Sequence, residues 1–144
     1  MRSLIIGCGY VGEALGQRLI ALGHSVTGIR RADEQNDRLA KIGIHPLNLD
    51  ITEAGALDRL EESFDHVVVA VSSSRGGREA HQRVFGAGIA NVCARLKTHP
   101  ARSVVFTSST SVYRQTEGEW VDEKSRTAMD TATSKTRRDA EDQI

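Results

Sequence analysis

Aromatic side chains are scarce in this sequence, at 4% of 144 residues: one Trp, two Tyr and three Phe. Two halves each closing a core of its own would be marginal on that supply, so one domain over residues 1–144 is expected, with no room for a second, substrate-binding domain. Net charge is missing too, with 19 Lys+Arg against 19 Asp+Glu. That balance withholds the sequence-independent attraction to phosphate backbones, so nucleic acid and acidic membrane surfaces fall away as partners. Cys8 and Cys93 are the only cysteines, one inside a glycine-rich turn and the other in a helical pattern. No disulfide framework follows, and a reducing, cytoplasmic setting is expected. No apolar run approaches the roughly 18 residues of a membrane helix, and the short one after Met1 is broken by Gly7 and Gly9 before it could act as a signal segment. The five histidines show no ligand spacing with one another or with either cysteine, so no metal site is expected.

What is present alternates short apolar runs with longer amphipathic ones, the pattern of strands and helices around a mostly parallel sheet. Strands are expected over 3–6, 25–29, 44–49, 66–71 and 103–106. Val11, Leu15, Leu19 and Leu22 recur at helical spacing before Gly23, giving a helix over 11–22. Asp33 is placed to cap a helix running to Lys41, and Leu57 and Leu60 share a face of a helix over 53–63. A long helix over 79–97 carries the stripe Val84, Ala87, Val92 and Leu96 and stops before Pro100. Gly86 and Gly88 interrupt it, and close packing on the sheet is the reason expected for them. The polar stretch 114–126 reads as a loop, and 133–144 as a helix that ends without Gly or Pro, so the chain reads as truncated. The fold expected is an α/β, Rossmann-type doubly wound parallel sheet in three αβα layers, with strand order 3-2-1-4-5 and right-handed crossovers.

Gly7, Gly9 and Gly12 form G-x-G-x-x-G directly between a strand and a helix. Gly7 permits the tight turn, Gly9 removes a side chain where a pyrophosphate must approach the backbone, and Gly12 lets helix and strand pack closely. The free amides at the helix start, around Tyr10 and Val11, then face the phosphates. A tight turn without ligand is the plain alternative. Where an NAD site places an acid after the second strand, this sequence has Arg30 and Arg31. A guanidinium fork suits a dianionic 2′-phosphate, which favours NADP(H) over NAD(H); the other reading is a solvated strand end. Asp50 and the Ile51 backbone lie where the adenine would sit, and Asp50, with Thr52 beside it, can equally cap the helix that follows. Ala70, Val71 and Ser72, at the fourth strand's end, should line the passage between the two halves of the cofactor.

GCGYVG at 7–12, FTSSTSVY at 106–113 and WVDE at 120–123 together resemble the NAD(P)-dependent epimerase/dehydratase family, the extended or atypical short-chain dehydrogenases/reductases. The resemblance covers the cofactor half of such proteins, and the glycine spacing is closer to the atypical members. It implies that Ser109 is the serine that hydrogen-bonds a substrate oxygen, and that Lys135 holds the nicotinamide ribose. It also implies a tyrosine four residues before that lysine, acting as proton donor, but position 131 is Thr131 and no Tyr occurs between Lys124 and Ile144. Threonine forms no comparable phenolate at neutral pH. Two functions therefore stand: an NADP(H)-dependent oxidoreductase or epimerase of a nucleotide-sugar or related hydroxyl or carbonyl substrate, and a non-catalytic NAD(P)-binding module with a regulatory or redox-sensing role. A homodimer through helices 79–97 and 133–144 is a further expectation of the resemblance.

Overall fold

The computed structural model describes residues 1–73 and 76–144. Strands β1 (Arg2–Ile6), β2 (Ser25–Arg30), β3 (Ile44–Asn48), β4 (His66–Val69) and β5 (Ser103–Phe106) pair in parallel, in the order β3-β2-β1-β4-β5. Helices α1 (Tyr10–Ala21), α2 (Asn36–Lys41), α3 (Gly77–Gln82), α4 (Ile89–Thr98) and α5 (Ala132–Gln143) cover the two faces. The doubly wound Rossmann order read from the sequence is the order found. Its direction reverses between β1 and β4, which opens a crevice beyond their carboxyl ends.

Alternation along the strands separates two cores. Leu4 and Ile6 of β1 join Val67 and Val69 of β4 against Phe85, Ile89, Val92 and Ala140. Ile5, on the opposite face, meets Val26, Leu39, Ile44 and Cys8, with Leu15 and Leu19 of α1 closing over them. Each such side chain contributes about 1.5–3 kcal/mol on burial, so the few aromatics are offset by many aliphatics. Pro46 is tolerated inside β3 because that strand is a sheet edge.

Four local expectations change in the structure. Asp33 is not the cap of α2; Gln35 holds that position, and its side chain is turned to Arg30 instead. The helix expected over 53–63 is a single 3₁₀ turn, Ala56–Arg59, preceded by Gly55 at φ +74. Asn91 of α4 donates to the carbonyls of Ile51 and Glu53 at 2.8 and 3.3 Å, which pins this segment in turn form while Leu57 and Leu60 still reach the core. The fourth strand stops at Val69, not Val71. The long helix runs over 77–98, with a π-helical turn at Arg83–Gly88. Gly88 packs on Ile51, where a Cβ would come within 2.9 Å of Cδ1, whereas Gly86 faces open space, so neither packs on the sheet as expected.

Helix α5 begins with a capping box: Thr131 Oγ1 accepts from Ser134 N at 3.0 Å, and Ser134 Oγ accepts from Thr131 N at 3.3 Å. Thr131→Ala should therefore cost about 1 kcal/mol in a chemical denaturation series, and Thr131→Ser should cost much less. Thr131→Tyr should be destabilising like the alanine variant, because a phenol cannot close this short loop. Equal stability of all four proteins would show the cap to be without consequence.

Candidate functional site

The glycine turn sits at the crevice, and its shape follows from what surrounds it. Gly7 has φ +90, and a Cβ there would lie 2.5 Å from the Ala70 carbonyl oxygen and 2.9 Å from Val71 Cα. At Gly12 a Cβ would meet the Gly7 oxygen at 2.8 Å and Ile5 Cγ2 at 2.9 Å, so α1 lies directly on β1. Gly9 has nothing within 4 Å of that point. Its face is open where a phosphate could reach the backbone. Glu13 N is the first amide to close a helical bond, on Gly9 O at 2.8 Å, and the amides of Tyr10, Val11 and Gly12 have no backbone acceptor among the described residues. The side chains of Tyr10 and Val11 stand out at the mouth, 97% and 56% exposed. Unpaired amides at a helix start, aimed over an open glycine, are a fit for a pyrophosphate.

A cleft continues from Gly7 along the strand ends, lined by Arg30, Arg31, Asp50, Ile51, Val71 and Ser72. Leu49 and Val84 also line it, and neither carries a signal in the sequence that would mark it for this place. Of the residues expected at the cofactor, Gly9, Tyr10, Val11, Gly12, Ala70 and Lys135 are not among those that line this cleft. The two arginines differ. Arg30 is half-buried and its NH1 donates to Cys8 O at 3.2 Å and to Gln35 Oε1 at 2.7 Å, which ties β2 to the glycine turn. Arg31 is exposed and makes no hydrogen bond or close ion pair to the described residues, though its charge acts on Asp50 across the cleft. Asp50 lines the cleft, and its Oδ1 accepts from Thr52 N at 2.9 Å, so it caps a turn where a helix cap was expected. Burial pushes its carboxyl up, but the bonds from Thr52 and the charges of Arg31 and Arg83 outweigh that and hold it below the usual carboxylate range. It stays ionised at neutral pH.

Ser109 lies in a second cleft, with Ser108, Tyr113, Glu123, Arg138 and Glu141. Its Oγ accepts from Ser111 N at 3.2 Å and so caps the 3₁₀ turn Thr110–Val112. Ala128 N donates to Val112 O at 2.7 Å, which draws the start of α5 toward this turn. Arg138 is held by Glu141 at 3.2 Å and Asp142 at 2.8 Å. Lys135, one turn earlier on α5, is exposed, is not among the residues lining this cleft and has no ion pair among the described residues. Tyr113 is the phenol that shares the cleft with Ser109.

Residues 3–136 match the model of the NAD dependent epimerase/dehydratase family. Among solved structures the chain is similar to the UDP-glucose 4-epimerase of Thermus thermophilus in complex with NAD, at 18% identity and a TM-score of 0.83, over 99% of this chain and 49% of that one. It is similar at 16% identity and a TM-score of 0.81 to the UDP-glucose 4-epimerase of Bifidobacterium longum in complex with NAD+ and UDP, over 99% and 47%. A functionally unknown conserved protein from Silicibacter pomeroyi is 27% identical, with a TM-score of 0.70 over 99% and 46%. The chain spans about half the length of these three proteins. No curated protein matches it.

Cys8 is the variable residue of the glycine motif, and the helix start beside it could have activated its thiol. Burial does the opposite. The side chain is fully enclosed against Gly28, where a Cβ would lie 2.7 Å from Sγ, and burial pushes the thiol up to about 11, with Arg30 pulling weakly the other way. In a Cys93→Ser background, Cys8 should therefore resist a thiol-exchange reagent at about pH 8 and react only on unfolding. Labelling of the native protein at the rate of a free thiol would contradict this packing.

Proposed function

The chain belongs to the NAD dependent epimerase/dehydratase family, and from that premise we propose that it binds a nicotinamide dinucleotide, NADP(H) in preference to NAD(H), along the carboxyl ends of β1 to β4. The observation that carries the reading is a cleft that runs from Gly7, in a turn whose Gly9 face is open and whose α1 amides lack backbone acceptors among the described residues, to the Arg31 guanidinium. In this reading the α1 amides and Gly9 receive the pyrophosphate. Arg31 reads the 2′-phosphate, while Arg30 holds the glycine turn in register with β2. Asp50 and Ile51 border the adenine, and Ala70, Val71 and Ser72 line the way to the nicotinamide. The bound cofactor would supply or accept a hydride at a hydroxyl or carbonyl carbon of a nucleotide-sugar or related substrate, as the substrate class named for the neighbouring epimerases suggests. Ser109 would donate its hydroxyl to the substrate oxygen, and Lys135 would reach the nicotinamide ribose from α5.

A non-catalytic dinucleotide-binding module is the second reading, and one observation favours it. The position that would carry the proton-donating phenol is Thr131, whose hydroxyl is already committed to the start of α5. Consumption of NADPH with a panel of carbonyl substrates, or interconversion of a nucleotide-sugar with no net change in the cofactor, would support the enzyme; saturable NADPH binding with neither would support the module.

Calorimetric titration with NADPH and NADH at one fixed salt concentration tests the cofactor assignment. NADPH should bind at least about ten-fold more tightly, about 1.4 kcal/mol, and its advantage should shrink as salt rises. Arg31→Ala should remove most of that preference and leave NADH affinity in place. Equal affinities in the natural protein would overturn the NADP(H) preference, and binding of neither would overturn the dinucleotide reading.

A further inference from the structure

The seam between α3 and α5 buries a titratable group that the proposed function does not use. His81 of α3 is 6% exposed, and its Nε2 faces Arg137 of α5, with NH2 at 3.2 Å. A guanidinium can only donate, so Nε2 is the acceptor and the neutral ring carries its proton on Nδ1. His81 Nδ1 and Arg137 Nε are both buried without a hydrogen-bond partner among the described residues. The two side chains share one support, Phe85 of the π-helical turn: the imidazole and phenyl centroids are 4.5 Å apart, and the guanidinium carbon lies 4.0 Å from the phenyl centroid.

Among the described residues no carboxylate faces the His81 ring. From α5 the group facing His81 is Arg137, itself influenced by Glu141 further along the helix. Phe85, and Phe106 of β5 behind it, are uncharged. On its own helix Arg78 and Glu79 are exposed to solvent. Among the described residues neither His81 nor Arg137 has an ion pair with a carboxylate. Protonating Nε2 would turn the acceptor into a donor facing another donor, and would place two cations on one phenyl ring inside a closed seam.

We propose that His81 is an acid-sensitive latch: its neutral imidazole holds Arg137, and with it the helix that carries Lys135 and the Arg138 and Glu141 wall of the Ser109 cleft, and protonation releases that helix. The sign of the effect follows from the site. Burial first, and the charge of Arg137 second, hold His81 below its ordinary value of 6.5. The unfolded or released state therefore takes up a proton more readily than the latched one. Stability of the seam is complete above about pH 6.5 and is lost as pH falls from there toward the lowered value. The proposal stands on this seam alone and does not depend on dinucleotide binding.

Hydrogen exchange of the α5 amides, corrected for the intrinsic pH dependence of exchange, tests it in the cofactor-free chain. Between about pH 7.5 and about pH 5.5 the carboxylates stay ionised, and protection of α5 should fall relative to β1, by up to about ten-fold. His81→Gln keeps an acceptor for Arg137 and does not titrate, so its α5 protection should stay level across the same interval. A parallel fall in both proteins, or no fall in the natural one, would overturn the latch. A proton NMR titration of the natural chain gives a second reading that needs no variant. The His81 ring should titrate below 6.5 together with the α5 amide shifts, and a midpoint at or above that value would also overturn it.

Discussion

The backbone of Ala70 and Val71 lies directly against Gly7, and the mouth of the sheet is built around that contact. A side chain at position 7 would overlap the Ala70 carbonyl, so the approach is available to glycine alone. Two further ties hold the turn in place. Gly7 N and Cys8 N both donate to Ile29 O, at 3.1 and 2.9 Å, and the Cys8 side chain fills the hollow left by Gly28. The turn is thereby fixed by β1, β2 and the end of β4 at once. The start of α1, with its unpaired amides, has no freedom to point elsewhere.

That arrangement was legible because each of its parts leaves a mark at fixed spacing: three glycines, an apolar strand before them and a 3.6-residue repeat after them. The strand order was legible for the same reason, since alternating strands and helices leave few topologies open. The errors fall where a distant side chain decides the local backbone. Nothing near 53–63 announces that Asn91 will hold the carbonyls of Ile51 and Glu53, and nothing beside Asp33 shows that Arg30 will draw Gln35 away from capping α2. Arg30 and Arg31 were read as a pair. Only the three-dimensional contacts separate the one that braces the glycine turn from the one that does not.

Helix α5 shows the same limit at the second cleft. The family resemblance pairs Lys135 with an expected phenol at 131, but in the structure position 131 lies outside the helix, with φ −118 and ψ 150, and spends its hydroxyl on Ser134. A side chain that caps a helix start and one that projects a phenol over a substrate are different solutions for the same residue. With threonine there, the start of α5 is secured locally, and the remaining orientation of the helix depends on what it packs against: Ala140 in the core, Val112 beside Ala128, and Arg137 on Phe85. Ser109 and Lys135 are thus joined through the docking of a helix, not through a direct contact.

Charge balance completes the contrast between whole chain and site. Equal numbers of acids and bases give no net field at a distance, which weighs against a polyanion such as nucleic acid that must be gathered along an extended surface. A compact anion samples only the local distribution. Arg30, Arg31 and Asp50 line the first cleft and the charge of Arg83 reaches Asp50, while Glu117, Glu119 and Asp122 lie in the loop before α5. Within a Debye length of about 8–10 Å a phosphate there would meet these arginines and the positive end of α1, tempered by Asp33 and Glu34 two and three residues beyond Arg31. Neutrality of the whole chain therefore does not fix the field at the cleft, because screening confines each charge to its own neighbourhood.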